Sequence, residues 1–204
     1  MERYEVHPIN PNHRFISKAV ECLKNGELVA YPTDVNYGIG CMLKSSQGVK
    51  TLNSLTEKLG RNRLHTVICK DISDVSQYAY LSNDVFKIMK RVFPGPYTFI
   101  LTATQLVPKI CQAKRKTIGI RIVDHPVVNA LLSKLDSPIL NFSALHLNKE
   151  ELLESPALIE EVYSNVISTL LDIGPVPASQ TTVVDFSTGS PVIVREGVGS
   201  ISNL

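Results

Sequence analysis

The chain has 204 residues, 44% of them hydrophobic, which is enough for one domain with a sizeable core. Charged residues at 20% and the lack of any low-complexity tract exclude a disordered chain, and no apolar run is long enough to span a bilayer. A net charge of +2 neither demands nor excludes a nucleic-acid partner.

Met1-Glu2-Arg3-Tyr4-Glu5 lacks the basic and then apolar segments of a secretory signal, so a cytoplasmic protein is expected. A helix is predicted over 11–27, where Ile16, Ala19, Val20 and Leu23 keep helical spacing and Gly26 suits the position just past the end. The apolar run from Leu28 then meets Pro32, which offers no N–H to a sheet ladder. Thr33, Asp34 and Asn36 crowd polar side chains into a turn. Gly38 and Gly40 follow, and glycine lets a backbone approach another backbone or a ligand closely. The stretch reads either as strand, turn and strand, or as a loop presenting a hydroxyl, a carboxylate and a phenol to a small polar ligand.

A second helix is predicted over 46–59, with Val49, Leu52 and Leu55 on one face and Gly60 to end it. Residues 61–64 make a basic connection to a short strand over 65–69. A helix over 82–92 carries the stripe Val85, Ile88, Met89 and Val92, with Lys87, Lys90 and Arg91 mostly off it. Pro94-Gly95-Pro96 forces a turn before a strand over 97–102. Residues 109–116 contain Lys109 and end in Lys114-Arg115-Lys116, the densest basic run. The strand over 117–123 alternates, with Ile118, Ile120 and Ile122 on one face and Gly119 and Arg121 on the other. Asp124 is the expected N-cap of a helix over 126–135. A strand over 138–143, a mostly helical stretch over 149–162 and a strand over 166–171 follow. Strands over 181–186 and 191–195 flank the hairpin turn Ser187-Thr188-Gly189-Ser190. Strands that alternate with helices early and pair as a hairpin late predict an α/β (α+β) fold with a mixed sheet. No repeat or linker divides the chain, so a single domain over 1–204 is expected.

Cys22, Cys41, Cys69 and Cys111 are far apart and form no C-x-x-C pair, which favours small buried hydrophobes over zinc or a disulfide framework. The five histidines show no metal spacing either. Arg121 sits on an otherwise apolar strand, where a guanidinium is costly unless it is paired or faces a wet cleft. It is either an internal ion-pair partner or a fork for a carboxylate or phosphate.

Five motifs, in order, carry a resemblance to a known family. Tyr31-Pro32-Thr33-Asp34 with Tyr37-Gly38-Ile39-Gly40-Cys41 comes first, then Phe93-Pro94-Gly95-Pro96-Tyr97-Thr98, then Ile120-Arg121 with His125-Pro126, Thr181-Thr182-Val183-Val184-Asp185 and Val194-Arg195-Glu196-Gly197. Together they resemble the YrdC-like, threonylcarbamoyl-AMP synthase family, and within it the YciO-like branch. The resemblance implies a twisted, open mixed sheet with surrounding helices and a concave ligand groove. It implies a threonine pocket lined by Thr33 and Tyr37, a groove arginine in Arg121, and nucleotide contacts from Ser143, Thr182 and Arg195. The family's synthases join L-threonine, bicarbonate and ATP into threonylcarbamoyl-AMP and pyrophosphate, so ATP and Mg²⁺ are the implied substrate and ion, with no resident cofactor. That chemistry calls for positioning and charge neutralisation rather than a side-chain nucleophile, and no catalytic residue is assigned. A second version within the same class is a diverged enzyme that binds or hydrolyses such adenylates. The alternative from another class is a non-catalytic module for double-stranded RNA or tRNA, served by Lys87, Lys90, Arg91, Lys109, Lys114, Arg115 and Lys116.

Two departures stand out. Synthases place a lysine, one residue and an arginine after the first signature; here Lys58 and Arg61 are two residues apart, and Arg61-Asn62-Arg63 has the spacing without the lysine. Lys58 and Arg61 are the implied substrate-binding cations. Synthases also carry Ser-Thr-Ser-Ala-Asn where this chain reads Asn141-Phe142-Ser143-Ala144-Leu145. Hydroxyls suited to phosphate or ribose give way to an amide and two apolar groups, each lost bond to a charged ligand being worth roughly 1.5–3 kcal/mol.

Overall fold

The computed structural model describes residues 1–58, 65–146 and 151–204, with the backbone alone for Lys58 and Lys114. The elements in chain order are β1 (Glu2–Glu5), α1 (His13–Lys24), β2 (Leu28–Pro32), β3 (Tyr37–Met42), α2 (Ser46–Lys58) and β4 (Thr66–Ile68). Then come α3 (Ile72–Tyr78), α4 (Asn83–Val92), β5 (Tyr97–Thr102), β6 (Thr117–Arg121), α5 (Pro126–Leu132) and β7 (Ile139–Ser143). The chain finishes with α6 (Pro156–Tyr163), β8 (Ile167–Asp172), β9 (Thr182–Asp185) and β10 (Val192–Arg195). The strands form one mixed sheet in the order β1-β8-β2-β3-β7-β4-β6-β5-β9-β10. No helix among the described residues is long and apolar enough to cross a membrane.

Local chemistry sets most boundaries. Asn12 accepts from the Arg14 N–H at the start of α1, and Gly26 takes a positive φ of 80° just beyond its end. Ser82 caps α4 through the Val85 N–H. Two predicted starts move. His125, not Asp124, caps α5, because Pro126 occupies the first helical turn and the residue before it must supply the acceptor. The stretch predicted as helical from 149 starts its helix at Pro156, capped by Ser155, while Leu152 bridges Leu145 across an antiparallel contact; residues 149 and 150 lie outside the described residues. Two elements had not been predicted. Polar β1 pairs parallel with β8, and α3 is a seven-residue helix capped by Asp71.

Alternation along the strands sorts the core into two layers. Leu28, Ala30, Ile39, Cys41, Phe99, Ile118 and Ile120 face one side and pack with Val49, Leu52, Val75, Val85, Met89 and Ile159 of α2, α3, α4 and α6. Val29, Tyr31, Met42, Ile68, Val123 and Ile139 face the other side and pack with Ile16, Val20, Leu23, Val127 and Leu131 of α1 and α5. Helix α1 lies over β8, β2 and β3, and α5 over β2. Beyond their reach, the same face of β7, β4, β6, β5, β9 and β10 floors a concave groove.

Candidate functional site

The groove encloses about 530 Å³. Its floor follows from register. Thr66 of β4 stands opposite Asn141 of β7 on one side and Gly119 of β6 on the other, and Gly119 stands opposite Ile100 of β5. One step along β6 is Arg121, and one step along β5 is Thr98. All of these line the groove, with Ser143 on β7, Val183 on β9 and Val194 and Arg195 on β10.

Arg121 is 3% exposed and forms an ion pair with Asp34 through Nη2 and Oδ1. The two sequence readings of this arginine therefore coexist: it is an internal ion-pair partner, and it lines the groove. Burial lowers its pKa and Asp34 opposes that shift, while a guanidinium stays charged at neutral pH. Arg121 Nε and Asp34 Oδ2 are buried without a partner among the described residues. Beside the pair, burial lowers the His125 pKa, against the pull of Asp34 and Asp124.

The turn between β2 and β3 forms one wall. Thr33 Oγ1 donates to the Asn36 carbonyl at 2.7 Å and accepts from the Val35 and Asn36 N–H groups at 3.3 Å, so its hydroxyl closes the turn. Asn36 Nδ2 donates to the Ser179 carbonyl at 2.9 Å, which laces this wall to the segment before β9. Tyr37 lies on the sheet face away from the groove, by strand alternation, and its hydroxyl donates to the Gly174 carbonyl at 2.8 Å and accepts from the Ile173 N–H at 3.0 Å. Burial pushes that phenol's pKa up. Thr33 and Tyr37 thus hold the wall in place rather than line the groove. The signature glycines serve packing: a Cβ at Gly38 would collide with Asn141 Oδ1, and one at Gly40 would lie 2.6 Å from the Tyr31 hydroxyl.

At the opposite end, Arg195 donates through Nε and Nη2 to the Thr181 carbonyl at 3.1 and 3.0 Å, and through Nη2 to Thr181 Oγ1 at 3.2 Å. Thr181 Oγ1 also shares a hydrogen bond with Thr98 Oγ1 at 2.8 Å. Thr182, one residue on, faces away from the groove; its hydroxyl donates to the Gly199 carbonyl and accepts from the Gly197 N–H.

The structure therefore brings Arg121, Ser143 and Arg195 to one groove and commits the hydroxyls of Thr33, Tyr37 and Thr182 to the framework around it. The Lys58 side chain and all of Arg61 lie outside the described residues. Sequence reasoning missed Thr66, Thr98 and Thr181 as groove residues. The signal was present for Thr98, a hydroxyl between Tyr97 and Phe99 at the same strand parity as the groove. Asn141 was read as a replaced hydroxyl. It is buried and bonded, accepting from the Tyr31 hydroxyl at 2.8 Å and donating to Thr66 Oγ1 at 3.2 Å.

A model of the Sua5/YciO/YrdC family, described as "Telomere recombination", matches residues 21–197. The chain belongs to this family. An uncharacterised protein of Haemophilus influenzae is 39% identical over 97% of this chain and 96% of its own length. A threonylcarbamoyl-AMP synthase of Vibrio vulnificus is 27% identical over 76% of this chain and 84% of its own length. The crystal structure of Escherichia coli YciO superposes with a TM-score of 0.93 at 34% identity, covering 100% of this chain and 99% of that one. Pyrococcus abyssi Sua5 crystallised with L-threonine shares the fold at a TM-score of 0.87 and 23% identity, covering 97% of this chain but 58% of the longer Sua5 chain. The mixed α/β sheet with its helices is shared with YciO and Sua5, and the likeness to YciO spans the whole chain.

Proposed function

We propose that the groove binds a threonylcarbamoyl adenylate or a closely related nucleotide, in the metabolism of threonylcarbamoyl-modified tRNA. The observation that carries this reading is the placement of Arg121 and Arg195 on one groove face, with Ile100 and Val183 on the strands between them. Three strand spacings separate β6 from β10, roughly 14 Å, which suits an extended nucleotide with polar groups along its length. The volume of about 530 Å³ falls within the usual range for small-molecule sites. The names of the synthase and threonine-bound relatives support the same ligand class. In the forward direction ATP and Mg²⁺ serve as substrate and ion, Mg²⁺ arriving with the ATP phosphates. Turnover in that direction is poor by this reading, because Asn141 is spent on Tyr31 and Thr66 where synthases carry a hydroxyl. Losing transition-state contacts worth about 3–4 kcal/mol slows a reaction roughly 10²–10³-fold.

The test is pyrophosphate release from L-threonine, bicarbonate and ATP beside an authentic synthase, with direct titration of threonylcarbamoyl-AMP. Binding of the adenylate with slow synthesis is the expected result; no binding of adenylate, ATP or threonine overturns the proposal. A second reading, a surface for double-stranded RNA or tRNA, is supported by the exposure of Lys87, Lys90, Arg91, Lys109, Arg115 and Lys116.

A further inference from the structure

We infer that Thr66 is a ligand-binding residue of the groove, its hydroxyl aimed by Tyr31 and Asn141 at an anionic oxygen that Arg121 also holds. This rests on the adenylate reading for the identity of the ligand, but not for the presence of the anion.

Tyr31 sets the direction of this hydrogen-bond chain. Its ring is fully buried, and burial holds its phenol protonated, so it is a donor. It donates to Asn141 Oδ1 at 2.8 Å, which turns Asn141 Nδ2 towards Thr66 Oγ1 at 3.2 Å. Thr66 Oγ1 is thereby supplied as an acceptor and has its own O–H left to give. The acceptor it meets among the described residues is the Asn141 carbonyl at 3.4 Å, well beyond the 2.7–2.8 Å usual for O–H···O bonds. A better acceptor entering the groove takes that proton at little cost.

The groove offers such an acceptor a place. Thr66 pairs with Gly119 across β4 and β6, so it is the diagonal neighbour of Arg121 on the same face, roughly 7 Å away between Cα atoms. Arg121 is 3% exposed, and its Nε–H is buried without a partner among the described residues. A hydroxyl donor and a guanidinium at that separation fit the oxygens of one carboxylate or phosphate group. Gly38 belongs to the same device, since a side chain there would displace the amide that aims Thr66.

The experiment titrates AMP, ATP, L-threonine and, separately, inorganic phosphate against the unmodified protein and the variants Thr66→Val, Thr66→Ser, Tyr31→Phe and Tyr31→Phe/Thr66→Val, with a thermal melt of each. Thr66→Val is expected to weaken the anionic probes about tenfold or more, and Thr66→Ser to restore them. Tyr31→Phe is expected to weaken them less, and the double variant to match Thr66→Val alone, because Tyr31 acts only through Thr66. A purely structural Tyr31 would instead lower the melting temperature and add its effect to that of Thr66→Val. Phosphate binding that depends on Thr66 while nucleotides and threonine fail to bind would sink the adenylate reading and leave this inference standing. Binding of any probe that Thr66→Val leaves unchanged overturns the inference and spares the adenylate reading. No saturable binding of any probe, phosphate included, overturns both.

Discussion

At the scale of single residues, burial turns charge into both a cost and a device. The Arg121–Asp34 pair is taken out of water almost completely, with side-chain exposures of 4% and 9%. Removing one member of such a pair strands the other, a loss of about 3–5 kcal/mol. Arg121→Ala is therefore expected to lower the unfolding free energy by that amount, and Arg121→Met with Asp34→Asn to recover a large part of it, as read by chemical denaturation. The same loss in single and double variants would mean that the pair contributes no compensation. His65 is another buried ionisable group, 5% exposed, with Nε2 3.4 Å from Thr56 Oγ1, and burial lowers its pKa to about 4. The unfolded chain, with histidine near pKa 6.5, binds that proton more readily. Stability is thus full above pH 6.5 and declines as pH falls from 6.5 through about 4, by about 3 kcal/mol in all. His65→Gln should flatten that part of the pH–stability curve relative to the unmodified protein. Equal slopes for the two proteins between pH 7 and 4.5 would assign the decline to other groups. The buried thiols are inert by the same physics, with Cys41 pushed up to about 12 and Cys111 to about 11.

At the scale of elements, period-two alternation made the sheet legible. Placing Arg121 and Gly119 opposite Ile118, Ile120 and Ile122 separated the two faces of β6 from sequence alone, and the strand–turn–strand reading of 28–41 describes β2 and β3. What stayed hidden was the use of each polar side chain, because that depends on partners distant in sequence. Tyr37 spends its hydroxyl 137 residues away at Gly174, and Asn141 meets Tyr31 110 residues away. Single-residue parity decided the rest: Thr182 faces the core while Thr181 faces the groove. β1 escaped notice because its four residues, Glu-Arg-Tyr-Glu, carry no apolar alternation, and the parallel partner β8 supplies the pairing. The glycines of β3 offer a direct test of this account. Gly38→Ala drives a methyl into Asn141 Oδ1 and the Tyr31 ring, an overpacking that costs about 1–3 kcal/mol. Adding Asn141→Ala should return much of the lost melting temperature. Failure of that second change to help would place the strain in the β2–β3 backbone instead of the side chains.

At the scale of the whole molecule, the sheet separates two surfaces. The groove lies on one face, and helix α4 packs on the other through Val85, Met89 and Val92, turning Lys87, Lys90 and Arg91 to solvent. Phe86 is exposed among them with Lys90 Nζ 5.6 Å above its ring. Val107 and Cys111, around Lys109, also pack on that face. An RNA held by these cations would leave the groove open, so duplex RNA and AMP are expected to bind without competition. The log–log salt slope should be about −0.9 per phosphate neutralised, taking the duplex-DNA coefficient as a guide. Arg115 sharpens the test. It and Lys116 adopt positive φ values of 65° and 57°, a left-handed conformation that costs a non-glycine residue about 1–2 kcal/mol. Arg115→Gly should therefore raise stability by about 1 kcal/mol while removing one cation. If the basic run serves RNA, this more stable protein binds duplex RNA more weakly and with a shallower salt slope, and its affinity for AMP is unchanged. Unchanged RNA affinity would release Arg115 from the contact surface, and the absence of any RNA binding at low salt would end the RNA reading altogether.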